Sequence, residues 1–411
     1  MSEFLAPINY ARARDVLYRL NTYTAYTPGG AAQVLRVLSE SYPLVFSRLE
    51  QKTFANGAVL LEMPGASLTG PLVFVCHLDA PAADYPLGTA GGMPLCAALE
   101  RAHAITLLEA LEGLLGDGYQ PGGDLLLAFS MDGLGGGEGA QSIAAHLGAR
   151  GLTPCFVLDY GGYATMEAFR TYLPRESPLA LIGVTEKGVV SGTVTGPTAR
   201  VLRAGARLSR RAKRASLCPA SAQMLVSLGR KAPLLQRWFV RSPHVSFPLM
   251  RLLWRKRAVR EQFFVSRRTV YSLSAQGTPQ RPAATAELRL CQTLIPGRGT
   301  EAAARRIRLL AGRGVKVDLP VRLEPSAPSQ AAGQAWEALV TAIEIQFERA
   351  IAVPCLSPLR TDGRFYAGLG GRVYRFSPFL LTGEEALDGL CTITDGTLQT
   401  AVQFFRSMLS V

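Results

Sequence analysis

The run PLVFVCHLD (71–79) closes a nearly unbroken apolar stretch with His77 and Asp79, two residues apart. An imidazole beside a carboxylate at a strand end can open a metal site, although on its own the pattern is more often the polar rim of an ordinary strand. Two further apolar runs end on acids. Asp132 closes GGDLLLAFSMD and Asp159 closes PCFVLD, where Tyr160 follows. If these runs are neighbouring strands of one sheet, their ends gather at its carboxyl edge, where open α/β folds place their sites.

The intervening segments support that arrangement. ALERAHAITLLEALEGLL (98–115) has apolar spacing near 3.6, and GAQSIAAHLGARG (139–151) reads as a helix closed by glycine. Helices between near-continuous apolar strands indicate an α/β layer with a largely parallel sheet. A different rhythm follows. EKGVVSGTVTG, TARVLRAGARLSRR, TVYSLSAQG, AATAELRLCQ, EAAARRIRLLAGRG and VKVDLPVRL read β-α-β-β-α-β, a split βαβ unit of ferredoxin-like type. This predicts a second domain over 184–323, with a basic helical insertion at about 212–268. EPSAPSQAAG is the return linker to a first domain made of 1–183 and 324–411.

The chain has 411 residues, 48% of them hydrophobic and 18% charged, which describes a globular protein with a sizeable core. Its net charge of +13 is concentrated: residues 200–268 hold 18 Lys and Arg against the single acid Glu261. Such a segment, mixing Arg with Leu, Trp238 and Trp254, suits an anionic surface or an acidic partner, or serves as a solvated face. No zinc-finger spacing or RNA-recognition motif accompanies it, so sequence-specific nucleic-acid reading is not expected. Seven cysteines without a CxxC pair predict reduced thiols, and no basic-then-apolar leader opens the N-terminus, so the expected location is cytoplasmic.

Taken in order, HLDAP, LLEALEGLL, GAQSIAAHLGARG, VLDYGG, TEKG, FPLMRLLW, RRTVYSLSAQG, IPG and TDGRFYAGLGGRVYRFSPF resemble the dinuclear-zinc exopeptidases of the carboxypeptidase S, aminoacylase and N-acyl-amino-acid hydrolase group. The resemblance implies an α/β zinc-exopeptidase-like domain with a mixed, mainly parallel sheet flanked by helices, interrupted by a ferredoxin-like α+β lid domain that often dimerises. It also implies two zinc ions sharing a bridging carboxylate, with a glutamate as general base.

Carried over position by position, the resemblance leaves gaps. His77 matches the first ligand and Asp79 the carboxylate that fixes its tautomer. The bridging carboxylate falls on Leu99 and a lysine position on Arg101, while Glu100 and His103 read as surface or capping groups. The base and third ligand fall on Asp132 and Gly133. The fourth ligand is Asp159, with Tyr160 where a glutamate usually follows, and the fifth falls on Asp388. Arg364 in TDGR is placed to clamp a substrate carboxylate, or else closes a loop on Asp362. The lid motif Gly-His-Ser-Ser is missing.

Two readings follow. In the first, the chain is a catalytically inactive homologue with no metal, acting as a binding or partner subunit. In the second, one zinc on His77, Asp159 and either Asp388 or Asp132, with Asp79 and Asp132 as catalytic groups, cleaves a small peptide or N-acyl amino acid. The Gly135-x-Gly137-x-x-Ala140 turn is a loose dinucleotide fingerprint, but no Walker Lys-Ser/Thr follows it.

Overall fold

A computed structural model describes residues 8–25, 27–66, 70–79, 95–133, 136–170, 173–174, 176–210, 212–232, 237, 242–253, 262–275 and 284–410. Trp238, Trp254 and Gly135 lie outside the described residues. The chain divides into two compact units, one of Met1–Val184, Lys231–Pro233 and Ser329–Val411, the other of Thr185–Arg230 and Leu234–Pro328.

In chain order the first unit opens with helices α1 (Tyr10–Leu20), α2 (Pro28–Ser41) and α3 (Pro43–Arg48), then strands β1 (Glu50–Thr53), β2 (Val59–Met63), β3 (Leu72–His77) and β4 (Leu95–Ala98). Helix α4 (Leu99–Gly116), strand β5 (Leu125–Ser130), helix α5 (Glu138–Ala149) and strands β6 (Phe156–Asp159), β7 (Tyr163–Thr165) and β8 (Leu179–Glu186) follow. The second unit holds β9 (Gly188–Pro197), α6 (Thr198–Ser209), β10 (Lys213–Ala215), α7 (Pro219–Lys231), α8 (Pro243–Leu253), β11 (Val265–Ala275), β12 (Thr285–Leu294), α9 (Thr300–Ala311) and β13 (Lys316–Leu323). The chain then returns to the first unit through α10 (Gln334–Gln346), β14 (Ile351–Ser357), α11 (Gly363–Tyr366), β15 (Arg372–Arg375), α12 (Gly383–Asp388), β16 (Leu390–Ile393) and α13 (Asp395–Leu409).

The large sheet runs β1-β2-β5-β3-β6-β15-β8-β14, with β7 beside β8. Its centre is parallel (β5, β3, β6, β15), and β1, β2, β7 and β8 pair antiparallel. Every residue of β3 and β5 is buried, as a sheet covered on both faces requires. Alternation along β3 separates the two coverings. Val73 and Val75 join Ile143, Ala144 and Leu147 of α5 in one core, while Phe74 meets Phe405 of α13 edge-on at 6.2 Å. Each such buried aliphatic or aromatic side chain contributes about 1.5–3 kcal/mol.

Helix α4 departs from its sequence reading. It is buried on nearly every side, and its polar residues find distant partners. Glu109 accepts the Asn9 N–H and both forks of Arg12, and Glu112 accepts the N–H groups of Leu44 and Val45 at the start of α3. The Arg101 side chain, also fully buried, donates to the carbonyls of Leu78, Leu20 and Tyr23.

In the second unit the strand order is β10-β11-β12-β9-β13, all antiparallel, so the four strands of the split unit take the ferredoxin-like arrangement. Helices α6 and α9 cover one face through Val201, Ala204, Leu208, Ala304 and Ile307, packed on Val190, Val194, Leu288 and Leu290. Among the described residues no helix is long and apolar enough to cross a membrane.

Candidate functional site

Register brings the strand ends together at the carboxyl edge. His77 lies opposite Ser130 of β5, Val75 opposite Asp159 of β6, and Asp159 opposite Arg375 of β15. Since Val73, Val75, Val157 and Val373 face the α5 core, alternation points His77, Asp159 and Arg375 to the same side.

His77 is 2% exposed, and both of its ring nitrogens are engaged. Nδ1 lies 2.8 Å from Asp79 Oδ1, and Nε2 lies 2.5 Å from the Tyr160 hydroxyl. That hydroxyl is also 2.9 Å from the Arg360 carbonyl, which can only accept. A phenol has one hydrogen to give, and Arg360 takes it. A doubly protonated His77, with Nδ1 donating to Asp79 and Nε2 to the phenol oxygen, satisfies all of these groups at once. Burial on its own would lower the His77 pKa, but the hydrogen bond and charge of Asp79 overcome it and raise the value to about 10.

Asp159 is fully buried with its two oxygens turned to backbone N–H groups, of Tyr160 at 2.7 Å and Gly363 at 2.5 Å. Burial, and then the neighbouring Asp362 carboxylate, raise its pKa to about 7. Asp362 accepts a hydrogen bond from Ser130, and burial raises its own carboxyl pKa despite the opposing His77 charge. Gly363, whose N–H reaches Asp159, begins the short helix α11 that carries Arg364, half-buried.

The remaining sequence-stated positions are placed as follows. Asp132 turns toward the first turn of α5, accepting the Gly139 N–H at 3.2 Å, and toward the Asn56 amide at 2.7 Å. Asp388 is exposed at the end of α12. Leu99 is fully buried at the first position of α4. At Gly133 a Cβ would lie 3.1 Å from His77 Cγ and 3.4 Å from Asp362 Oδ1, so the backbone packs closely against the imidazole and a side chain there would have to shift it.

Glu100 and His103 need correction, because neither is a surface group. Glu100 is 9% exposed and its charge acts on His77; burial raises its carboxyl pKa while His77 opposes the rise. His103 is fully buried with Nδ1 3.2 Å from the Ser377 hydroxyl, and burial, then the His77 charge, depress its pKa to about 3. Sequence reasoning also passed over Ser130 and Asp362 as members of this cluster. In the sequence Tyr160 stands out only as a residue in place of a glutamate.

A catalytic zinc takes at least three donor side chains with lone pairs directed at one point. Tyr160 covers His77 Nε2, Asp159 faces backbone donors, Asp132 holds a helix end, and Asp388 is exposed. Among the described residues no three His, Cys, Asp or Glu side chains are grouped so as to hold a metal ion. The donor set among the described residues therefore does not fit a zinc centre.

Comparison with known proteins places this geometry in context. No protein-family model matches the chain. It is 24% identical over 307 residues to the probable carboxypeptidase S-like 2 of Dictyostelium discoideum, covering 70% of this chain and 58% of that one. It is 30% identical over 167 residues to the N-fatty-acyl-amino acid synthase/hydrolase PM20D1 of Mus musculus, covering 37% and 33% respectively. The chain thus spans little more than half, at most, of these curated relatives. The fold is that of an M20 family metallo-carboxypeptidase from Sulfolobus solfataricus, with a TM-score of 0.69 over 97% of this chain and 98% of that one at 12% identity. The chain thus has the fold of the M20 metallo-carboxypeptidases and is similar in sequence to a carboxypeptidase S-like protein and to an N-fatty-acyl-amino acid synthase/hydrolase.

Proposed function

We propose that the chain is a non-catalytic member of the metallo-exopeptidase superfamily, in which the remnant of a metal centre has become a hydrogen-bonded lock at the end of the sheet. The observation that carries this reading is the 2.5 Å contact between the Tyr160 hydroxyl and His77 Nε2, the nitrogen left over once Asp79 has taken Nδ1. Support also comes from the apolar, buried Leu99 where the resemblance puts the bridging carboxylate, and from the close packing of Gly133 on His77. Without a bridging carboxylate, two dications held close together have nothing between them to offset their repulsion.

In this reading the molecule acts by binding, as a partner subunit or a holder of small ligands, with dimerisation through the second unit a part of it. The relatives' names point to peptides and N-acyl amino acids as the ligand class, and Arg364 is the group assigned to their carboxylate. The test is hydrolysis of dipeptides and N-acyl amino acids by the purified full chain with zinc supplied. We expect no turnover above the protein-free rate. Turnover that a chelator abolishes and Asp132→Asn removes would instead make the chain a one-metal hydrolase.

A further inference from the structure

A cavity of about 900 Å³ lies wholly within the second unit, lined by Arg214 of β10, Arg298 of the β12–α9 loop and Arg305 and Arg306 of α9. Ala302, Arg305, Arg306 and Leu309 recur at helical spacing, so one face of α9 forms a wall. No Asp or Glu is among the lining residues. Among the described residues none of the four guanidinium groups makes a hydrogen bond or ion pair.

The nearby acids are committed elsewhere. Glu324 accepts from the Thr300 N–H and hydroxyl at the start of α9, and Glu301 pairs with Arg322. The helix N-terminus is thus already satisfied by a protein carboxylate, and the unmatched charge belongs to the guanidinium groups. Burial, and then the Arg214 and Arg306 charges, hold the Arg298 pKa below its ordinary value. Gln292 on the cavity wall adds a buried Oε1 with no partner.

We propose that this cavity is a binding site for a small phosphate-bearing anion, gripped by Arg214, Arg298, Arg305 and Arg306. Four guanidinium groups facing one space need more than the single charge of a carboxylate, and the planar fork of arginine matches phosphate oxygens in pairs. The volume lies within the range of small-molecule pockets. Leu217 and Leu294 offer apolar wall to an organic moiety, and the orphaned Gln292 oxygen can accept from a hydroxyl on it. The phosphate comes either from a free metabolite or from a lipid headgroup.

The test measures binding to the full chain with two probes. One is inorganic pyrophosphate, and the other is phosphatidylcholine vesicles with and without phosphatidic acid. Pyrophosphate binding with a rise in melting temperature identifies a free phosphate compound; co-sedimentation only with phosphatidic acid vesicles identifies a headgroup. In either case the double variant Arg298→Gln/Arg306→Gln weakens binding on the order of tenfold for each guanidinium lost. Without anion it melts no lower than the wild type, since removing like charges relieves repulsion. Arg305→Gln, an exposed position, carries the same readout if the double variant fails to fold, and Arg289→Gln, away from the cavity, leaves binding unchanged. Equal binding by wild type and cavity variants, an equal shift from sodium chloride at matched ionic strength, or no response to either probe overturns the proposal.

Discussion

Tyr160 closes on His77 from the side opposite Asp79, its hydroxyl 2.5 Å from Nε2 while Asp79 stands 2.8 Å from Nδ1. Tyr160 directly follows Asp159 at the end of β6, so the strand that delivers a carboxylate to the sheet edge also delivers the group that covers the imidazole.

Replacing Tyr160 with phenylalanine removes the hydroxyl and leaves the buried His77 N–H and the Arg360 carbonyl without their partner. A buried donor stripped of its acceptor costs roughly 1–3 kcal/mol, more when it is charged. Urea unfolding is therefore expected to show Tyr160→Phe about 2–4 kcal/mol less stable than the wild type. A change below about 0.5 kcal/mol would mean the contact stabilises nothing.

Acidity gives a second check. The His77 pKa is raised from 6.5 to about 10, so the stability it contributes is fully present below pH 6.5 and is lost as pH rises through about 10. The Asp159 pKa is raised from 3.8 to about 7, so the folded state holds this proton longer than the unfolded chain, and stability falls as pH rises between those values. The gap in melting temperature between wild type and His77→Gln is expected to narrow steadily from pH 6.5 to 10. A gap that widens over that range reverses the assignment.

The alternation of strands and helices over residues 70–160 and the β-α-β-β-α-β order were legible because each rests on local spacing, while the contact of Asp79 with His77 was implied only by the resemblance. The burial of α4 was not legible. Glu100, Arg101, His103, Glu109 and Glu112 are residue types that usually face solvent, yet Glu109 meets Arg12 from 97 residues away and Arg101 reaches Leu20 from 81. Nothing in a helical period encodes partners at that distance. Tyr160 is separated from His77 by 83 residues, so only the sheet register could bring them together. Asp132 reaches the Gly139 N–H from seven residues upstream, across the glycine turn, which no local capping position in the sequence announces.

Arg101 ties the end of α1 and the exit of β3 to α4 through three carbonyls. Arg101→Met leaves those buried acceptors unmet and is expected to cost about 3–5 kcal/mol in denaturant unfolding. Arg101→Lys is expected to recover only a minor part, because a single ammonium cannot span the fork. Full rescue by lysine would show that charge matters here and geometry does not.

Asp132 separates a helix cap from a catalytic base. Asparagine keeps an acceptor for the Gly139 N–H and is itself a favoured cap, whereas alanine removes the acceptor. Thermal unfolding is expected to place Asp132→Asn within about 1 kcal/mol of the wild type and Asp132→Ala about 1–2 kcal/mol below it. Equal stability for all three would remove the capping role.

Equilibrium dialysis of the purified chain against zinc bears most directly on the claim that His77 is sealed by Tyr160. The wild type is expected to retain no stoichiometric zinc, while Leu99→Asp/Tyr160→Glu, which uncovers Nε2 and restores a carboxylate beside it, gains affinity. One tightly held zinc per wild-type chain, lost in His77→Gln, would contradict it.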